Sequence, residues 1–144
     1  QMRISNKVAR DVLATYGDKV HAVTDVTGFG LIGHISEMLG GQDLDVHLSL
    51  SKTAVLPEAM DLFEAGIRTS ADVRNRSSSD LATSGLTGHF SEAALFDPQT
   101  NGGLLASVSP GLQQELENQG FFTVGKILTG SCVVHVAINE FCNI

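Results

Sequence analysis

The chain has 144 residues and a formal net charge of -7, and 42% of its residues are hydrophobic while 17% are charged. This is the composition of a globular protein and the length of one domain, so the disordered class is excluded. The negative charge opposes binding to nucleic acid or anionic lipid, and no apolar run approaches the roughly 20 residues that span a bilayer, so neither partner is expected.

The first third of the chain alternates helix and strand patterns. Apolar residues recur at helical spacing from Ile4 to Tyr16, and Gly17 follows where a left-handed cap ends a helix. Val20 to Thr24 is short and β-branched, as is typical of a strand, and a second helical pattern runs from Phe29 to Leu39. Leu44 to Leu50 alternates apolar and polar residues, which predicts a strand with one solvated face.

A helix and a long polar segment follow. The helix is predicted from Pro57 to Ala65, because proline and Glu58 both suit its first turn, and Gly66 ends it. Arg68 to Glu92 is rich in Ser, Thr, Asn and Gly and has no sustained period, which predicts a long loop. Structureless connections longer than about 12 to 15 residues are uncommon in compact domains, so this segment is either mobile or functional.

The last third predicts three strands and one helix. Leu104 to Val108 has the composition of a buried strand, and Ser109-Pro110 begins a helix. Phe122 to Leu128 and Cys132 to Ile138 are predicted as a hairpin joined by Thr129-Gly130-Ser131. Helices and strands that mix without strict alternation indicate an α+β fold, with a mixed β-sheet and helices packed on its faces.

The first segment that could carry chemistry is Thr24-Asp25-Val26-Thr27-Gly28-Phe29-Gly30. It places a carboxylate at the end of a strand and free backbone N–H groups at the start of a helix, and both are useful near phosphates. Asp25 offers a hard oxygen ligand for Mg²⁺, while Gly28 and Gly30 allow the backbone to approach a ligand closely. A simpler interpretation is that Asp25 or Thr27 only caps the helix and that the glycines serve the turn.

The second such segment is Asp97-Pro98-Gln99-Thr100-Asn101-Gly102-Gly103, directly before the strand at Leu104. Pro98 fixes its own φ and biases Asp97 towards an extended backbone, so the polar side chains that follow lie on a rigid turn that can position a ligand. The same residue types also make ordinary turns, so an unspecialised loop is the alternative.

The histidines and cysteines form no recognisable site in the sequence. His34 lies in the second helical pattern, where a packed or capping role is favoured over that of a ligand or proton carrier. The other four histidines do not have the sequence spacing of a zinc site; they are His21, His47, His89 and His135. Cys132 is expected to be a small core residue and Cys142 has no neighbouring base, so no catalytic cysteine is predicted. Two cysteines without a disulfide framework, and no signal-like amino terminus, make the cytoplasm the expected compartment.

Two stretches together resemble the signature segments of selenophosphate synthetases: TDVTGFGLIGH from Thr24 to His34 and FDPQTNGGLL from Phe96 to Leu105. Their order and separation are similar to those of the family's carboxy-terminal domain, and the similarity extends over essentially the whole chain, including an Arg74-Asn75 pair. Related enzymes such as aminoimidazole ribonucleotide synthetase share the fold but differ at the equivalent turn. The resemblance implies that residues 1–144 are a single domain, the carboxy-terminal half of a two-domain enzyme whose amino-terminal ATP-binding domain is absent.

The resemblance also implies an activity, in which selenide, ATP and water yield selenophosphate, AMP and phosphate. Members of this family work as dimers with Mg²⁺ and often with potassium. Their reactive cysteine or selenocysteine and its partner lysine belong to the amino-terminal part, so we expect no catalytic residue in this chain and no activity from it alone.

Site residues carry over from this resemblance only where the motifs match. Asp25 matches the family's metal-binding aspartate, which would help to hold Mg²⁺ against the phosphates of ATP. The residues expected to line the nucleotide side or the interdomain cleft are Thr27, Gly28, Gly30, Gln99, Thr100, Gly102 and Gly103. Asn101 stands where the family commonly has serine. Two alternatives remain: a related enzyme with a different acceptor, and a non-catalytic interaction domain that binds a partner through these segments.

Overall fold

A computed structural model of the chain describes residues 4–49, 55–78 and 82–137. Its helices are α1 (Lys7–Ala14), α2 (Gly30–Leu39), α3 (Pro57–Glu64), α4 (Ser70–Ser78), α5 (Ala93–Phe96) and α6 (Gln113–Glu117). Its strands are β1 (Val20–Asp25), β2 (Leu44–Ser49), β3 (Ala82–Ser84), β4 (Leu104–Val108), β5 (Gly125–Thr129) and β6 (Val133–Ala137). Short 3₁₀ turns cover Gly17–Lys19, Phe90–Glu92 and Pro110–Leu112. None of the described helices has the length and apolar character needed to cross a membrane.

The strands form two sheets. β1 and β4 pair antiparallel, and Asp25 lies opposite Leu104 at one end of this ladder. The second sheet is four-stranded and has the order β3-β6-β2-β5. In it β2 runs antiparallel to β5 and parallel to β6, and β6 runs parallel to β3. The predicted α+β class with a mixed sheet is therefore confirmed.

The main core lies between α2, α5 and the four-stranded sheet. Its buried residues are Leu31, Ile32, Ile35 and Leu39 of α2, Val46 and Leu48 of β2, Leu95 and Phe96 of α5, and Val134 and Val136 of β6. α2 is amphipathic because its apolar residues recur at helical spacing, and Gly40, in the left-handed region with φ 56°, ends it. A second core covers the two-stranded sheet with Leu13, Leu112 and Leu116. This packing holds the start of α2 directly after β1 and beside α5.

Most of the local sequence patterns correspond to observed elements. The confirmed ones are the strand predicted at 20–24 (β1), the helix at 29–39 (α2), the strand at 44–50 (β2), the helix at 57–65 (α3), the strand at 104–108 (β4) and the helix from Ser109 (α6). The opening helix is shorter than predicted, and its predicted apolar face is only partly buried, because Ile4 and Val8 are exposed while Leu13 is buried. Leu50, Ile138 and Cys142 lie outside the described residues.

The predicted loop from Arg68 to Glu92 is wrong, because this segment contains α4 and β3. α4 has no apolar face that could reveal it, and its one buried residue is Asp72. Contacts with the rest of the fold hold it instead: Arg76 donates to the Asp72 carboxylate over 2.9 Å, and its guanidinium lies over the Phe96 ring, 4.2 Å from the ring centre. Tertiary contacts therefore override the weak local pattern.

The predicted carboxy-terminal hairpin is also wrong. β5 and β6 are consecutive strands, but β2 lies between them and pairs with both. The connecting turn is held by β2, since one carboxylate oxygen of Asp45 accepts hydrogen bonds from the backbone N–H groups of Ser131 (2.8 Å) and Val133 (3.0 Å). Cys132 lies in this turn rather than in a strand, with φ 65°, and packs half-buried against the main core.

Candidate functional site

The two segments singled out in the sequence lie side by side. We name residues 24–30 the first glycine segment and residues 97–103 the second glycine segment. Three backbone hydrogen bonds join them, from Val26 N to Gly103 O (3.1 Å), from Gly102 N to Val26 O (3.2 Å) and from Gln99 N to Thr27 O (2.9 Å). These bonds prolong the β1–β4 ladder beyond its last strand pair, Asp25 and Leu104. Both segments therefore form one continuous surface at the end of the two-stranded sheet.

Two of the four glycines in these segments are required by close packing. Gly30 has φ +70°, and a Cβ there would lie 2.8 Å from the carbonyl carbon of Phe96. A Cβ on Gly102 would overlap the carbonyl oxygen of Val26. In contrast, a Cβ on Gly28 or Gly103 would meet open space. Gly30 and Gly102 thus serve the docking of the segments, whereas Gly28 and Gly103 expose backbone to the outside.

Asp25 lies exposed at the end of β1. Its carboxylate has no hydrogen-bond or ion-pair partner within residues 4–49, 55–78 and 82–137. The helix-capping interpretation of Asp25 and Thr27 is wrong, because the N-cap position of α2 is Phe29 and no side chain caps the helix. Asp25 is therefore not occupied with holding the fold.

Asp25 brings an exposed, unpaired carboxylate to this surface, whereas the Asp97 carboxylate is half-buried and accepts a hydrogen bond from Thr69. In the part of the chain that the structure describes, no group of three or more histidine, cysteine, aspartate or glutamate side chains could hold a metal ion. A solvated, unpaired carboxylate such as that of Asp25 fits one position of a Mg²⁺ shell, since Mg²⁺ is commonly bound through one or two carboxylates, water and substrate phosphates. The remaining ligands would have to come from outside the described residues.

Asn75 of α4 connects the two glycine segments from a third element. Its side-chain amide donates to the carbonyl oxygens of Gly28 (3.0 Å) and Phe96 (2.8 Å). Both amide hydrogens of an asparagine can donate in this way, so a single side chain joins the first segment to the end of α5. Neither period nor spacing in the sequence indicates this role, and its one signal there is the Arg74-Asn75 pair noted as part of the resemblance described above.

The second glycine segment is anchored at both ends. The Thr69 hydroxyl donates to the Asp97 carboxylate over 3.0 Å, and burial raises the pKa of Asp97 above its ordinary value. Asn6 donates from its side-chain amide to Gly102 O over 3.0 Å, and Asn101 donates in the same way to Ile4 O over 2.9 Å. Of the predicted cleft residues, the Gln99 side chain turns back to the Asp97 carbonyl (3.3 Å) and Thr100 is exposed.

A buried histidine lies behind the first glycine segment. His34 is only 5% exposed, which confirms its predicted packed position. Its Nε2 lies 3.0 Å from the hydroxyl oxygen of Thr27, and its Nδ1 lies 2.9 Å from a carboxylate oxygen of Glu37. The ring of Phe29 is 5.7 Å from the imidazole between ring centres and leaves most of its own surface exposed. Thr27 is thus tied to α2 through a side chain rather than through a helix cap.

Comparison with known proteins places the sequence of the chain in a family. The family model described as AIR synthase related protein, C-terminal domain, matches residues 3–119. The chain is 46% identical over 96 residues to a selenide, water dikinase of Dechloromonas aromatica (strain RCB), which is 65% of this chain and 27% of that protein. It is 39% identical over 105 residues to selenide, water dikinase 2 of Peptoclostridium acidaminophilum, which is 72% of this chain and 29% of that protein. The chain therefore spans less than a third of the length of these relatives.

Proposed function

Because the chain belongs to the family of AIR synthase related protein, C-terminal domain, we propose that it forms one wall of an ATP and Mg²⁺ site in a selenophosphate synthetase. The relatives carry the name selenide, water dikinase. The proposed reaction converts selenide, ATP and water into selenophosphate, AMP and phosphate. We further propose that the working enzyme is a cytoplasmic homodimer that uses Mg²⁺ and potassium, and that residues 1–144 act as a single carboxy-terminal domain beside an amino-terminal one.

The observation that carries this proposal is the unpaired carboxylate of Asp25 beside exposed backbone. The three backbone hydrogen bonds between the glycine segments hold Asp25 at the rim of a rigid surface, next to the open positions of Gly28 and Gly103. Bound Mg²⁺ would neutralise phosphate charge there, and Asp25 would supply one of its oxygen ligands. A backbone without side chains can approach the oxygens of a polyphosphate closely.

The remaining predicted residues have different parts in this proposal. Gly30 and Gly102 permit the docking of the segments, and Thr27 presents its hydroxyl on the same segment as Asp25. Gln99 and Thr100 lie on the second segment, where Thr100 is open to a facing domain. One carboxylate cannot complete a Mg²⁺ shell, so we expect the chain to make no selenophosphate by itself.

The test is phosphorus NMR of ATP incubated with selenide and Mg²⁺ and the full-length protein that contains this chain. We expect the unaltered protein to form selenophosphate and Asp25→Asn to form at least about tenfold less, because even the loss of an outer-shell partner of a metal ligand typically costs about 10–100-fold. Asp18→Asn is the matched control, because it removes the same charge from an exposed position just before the other end of β1. Its activity should equal that of the unaltered protein.

The same experiment separates the alternatives. ATP turnover that does not depend on selenide would indicate a related enzyme with a different acceptor. Full activity of Asp25→Asn would remove Asp25 from the metal site, and ATP left intact by a well-folded full-length protein would favour a non-catalytic interaction domain. Selenophosphate formation by residues 1–144 alone would contradict the expected dependence on another domain.

A further inference from the structure

The buried imidazole of His34 uses both of its ring nitrogens. Nδ1 is 2.9 Å from the Glu37 carboxylate, and Nε2 is 3.0 Å from the Thr27 hydroxyl. The Glu37 side chain is 57% exposed, whereas that of His34 is 7% exposed. A chain of three polar groups therefore runs from solvent, through two side chains of α2, to the first glycine segment.

The chemistry of the carboxylate decides where the ring proton lies. An ionised carboxylate only accepts hydrogen bonds, so Glu37 requires a proton on Nδ1 of His34. In the neutral ring Nε2 then carries a lone pair, and it can only accept. The Thr27 hydroxyl must donate to it, which turns the hydroxyl hydrogen inward and leaves the oxygen lone pairs free.

The free lone pairs lie on the same segment as Asp25. Both backbone groups of Val26 bond to the second glycine segment, and the Val26 side chain packs against the main core. Thr27 follows Asp25 by two residues, its carbonyl accepts from Gln99 N, and it is half-buried, so its hydroxyl oxygen lies on the same short segment as the exposed Asp25 carboxylate. A hydroxyl oxygen that has already used its hydrogen is an acceptor, which suits a cation shell or a donor group of the ligand and does not suit a phosphate oxygen.

We propose that His34 is a positioning residue that, under the control of Glu37, fixes the Thr27 hydroxyl as an acceptor towards the hydrated Mg²⁺ of Mg·ATP. This inference rests on the proposed function for the identity of the ligand. The tautomer and the direction of the hydrogen bond do not depend on it. His34 itself touches neither nucleotide nor metal in this arrangement.

The direct test is the nitrogen NMR spectrum of the His34 ring in the ¹⁵N-labelled chain, with His34→Gln used to assign the signals. We expect a protonated Nδ1 and an unprotonated Nε2 at neutral pH. A proton on Nε2, in either the other neutral tautomer or the doubly protonated ring, would overturn the proposal. Glu37→Gln should allow the opposite tautomer, because an amide can donate to Nδ1.

The second test measures Mg·ATP binding to the full-length protein by calorimetry, with a matched pair of variants. His34→Asn places an amide near the position of Nδ1 and cannot reach Thr27, whereas His34→Gln places one near Nε2 and can accept from it. We expect about tenfold weaker binding for His34→Asn and for Thr27→Val, the loss typical of one hydrogen bond, and near-normal binding for His34→Gln.

The double variant of His34→Asn with Thr27→Val should bind no more weakly than either single variant, because both remove the same interaction. If His34 had only a structural role, His34→Asn and His34→Gln would instead bind Mg·ATP equally weakly, or the losses of affinity in the double variant would be additive. If Thr27→Val weakens binding and His34→Asn does not, this inference fails while the proposed function stands. If no variant alters binding and Asp25→Asn also leaves the activity unchanged, the proposed function fails. The ring spectrum still decides the tautomer of His34 in that case.

Discussion

Replacement of Gly102 by alanine tests what holds the two glycine segments together. A Cβ at this position would overlap the carbonyl oxygen of Val26, the atom that accepts the hydrogen bond of Gly102 N. The position of a Cβ is fixed by the backbone of residue 102, and the oxygen belongs to the backbone of Val26, so no side-chain rotation can relieve the contact. Gly103 is the matched control, since a Cβ there meets open space and its φ lies outside the left-handed region.

The size of the effect follows from the contacts that must be lost. The second glycine segment has to move away from Val26, which lengthens the hydrogen bonds from Val26 N to Gly103 O and from Gly102 N to Val26 O. Each such bond contributes about 0.5–1.5 kcal/mol, and overpacking costs about 1–3 kcal/mol more. Gly102→Ala should therefore lower the free energy of unfolding by about 2–6 kcal/mol. Gly103→Ala should be neutral or stabilising by up to about 1 kcal/mol, because alanine restricts the unfolded chain.

The assay is urea unfolding followed by far-ultraviolet circular dichroism, with both variants compared at one temperature and pH. An unchanged denaturant slope would show that the shift in midpoint reflects stability and not a different unfolded state. Equal midpoints for Gly102→Ala and Gly103→Ala would refute the idea that close backbone contact at Val26 holds the segments in place.

Two further predictions concern one half-buried carboxylate, Asp97, and one buried carboxylate, Glu92. Burial raises the pKa of Asp97, so in the folded state the group binds a proton more tightly than in the unfolded chain, and stability falls as pH rises from the unfolded pKa through the folded one. Asp97→Asn should therefore raise the unfolding midpoint at pH 7 and lose that advantage at pH 3; an equal gain at both pH values would contradict the cause given. Glu92 is 3% exposed, and its carboxylate accepts from the backbone N–H groups of Thr87 and Gly88. Glu92→Gln should cost about 1–2 kcal/mol and Glu92→Ala about 3–5 kcal/mol in thermal unfolding, because only the glutamine retains an acceptor; equal losses would show that these hydrogen bonds do not matter.

The part of the fold that could be predicted from the sequence is the part in which local signals agree. The unit of β1, the glycine turn and α2 combines β-branched residues, turn glycines and a helical apolar period, and each of these signals is independent of distant residues. The docking of the two glycine segments is not predicted from the sequence, where only their joint resemblance to one family links them. Local patterns cannot reveal it, because the hydrogen bonds of Val26 reach residues more than 70 positions away, Gly102 and Gly103.

The predictions that are wrong concern segments whose structure is decided by tertiary contacts and not by local signals. α4 carries polar residues almost throughout, so its place is decided by single tertiary contacts such as those of Asn75 with Gly28 and Phe96. The turn at Thr129–Ser131 has good hairpin chemistry, yet pairing is decided by β2, whose Asp45 binds the turn from the middle of the sheet. The sequence does not indicate that His34 holds the Thr27 hydroxyl, because a histidine on an amphipathic helix is usually only packed. The structure shows that both of its ring nitrogens have hydrogen-bond partners.

The position of β6 has a consequence for how the protein is made. β6 is the last described strand in the chain, yet it lies inside the four-stranded sheet, between β3 and β2. A ribosome releases β2 and β3 first, so both present unpaired backbone until residues 133–137 emerge. Ribosomal stalling or premature termination just before these residues would leave a nascent chain whose sheet lacks an inner strand rather than an edge strand. Such chains would lack Val134 and Val136, which belong to the same core as Val46 and Leu48, and would be natural clients for chaperones.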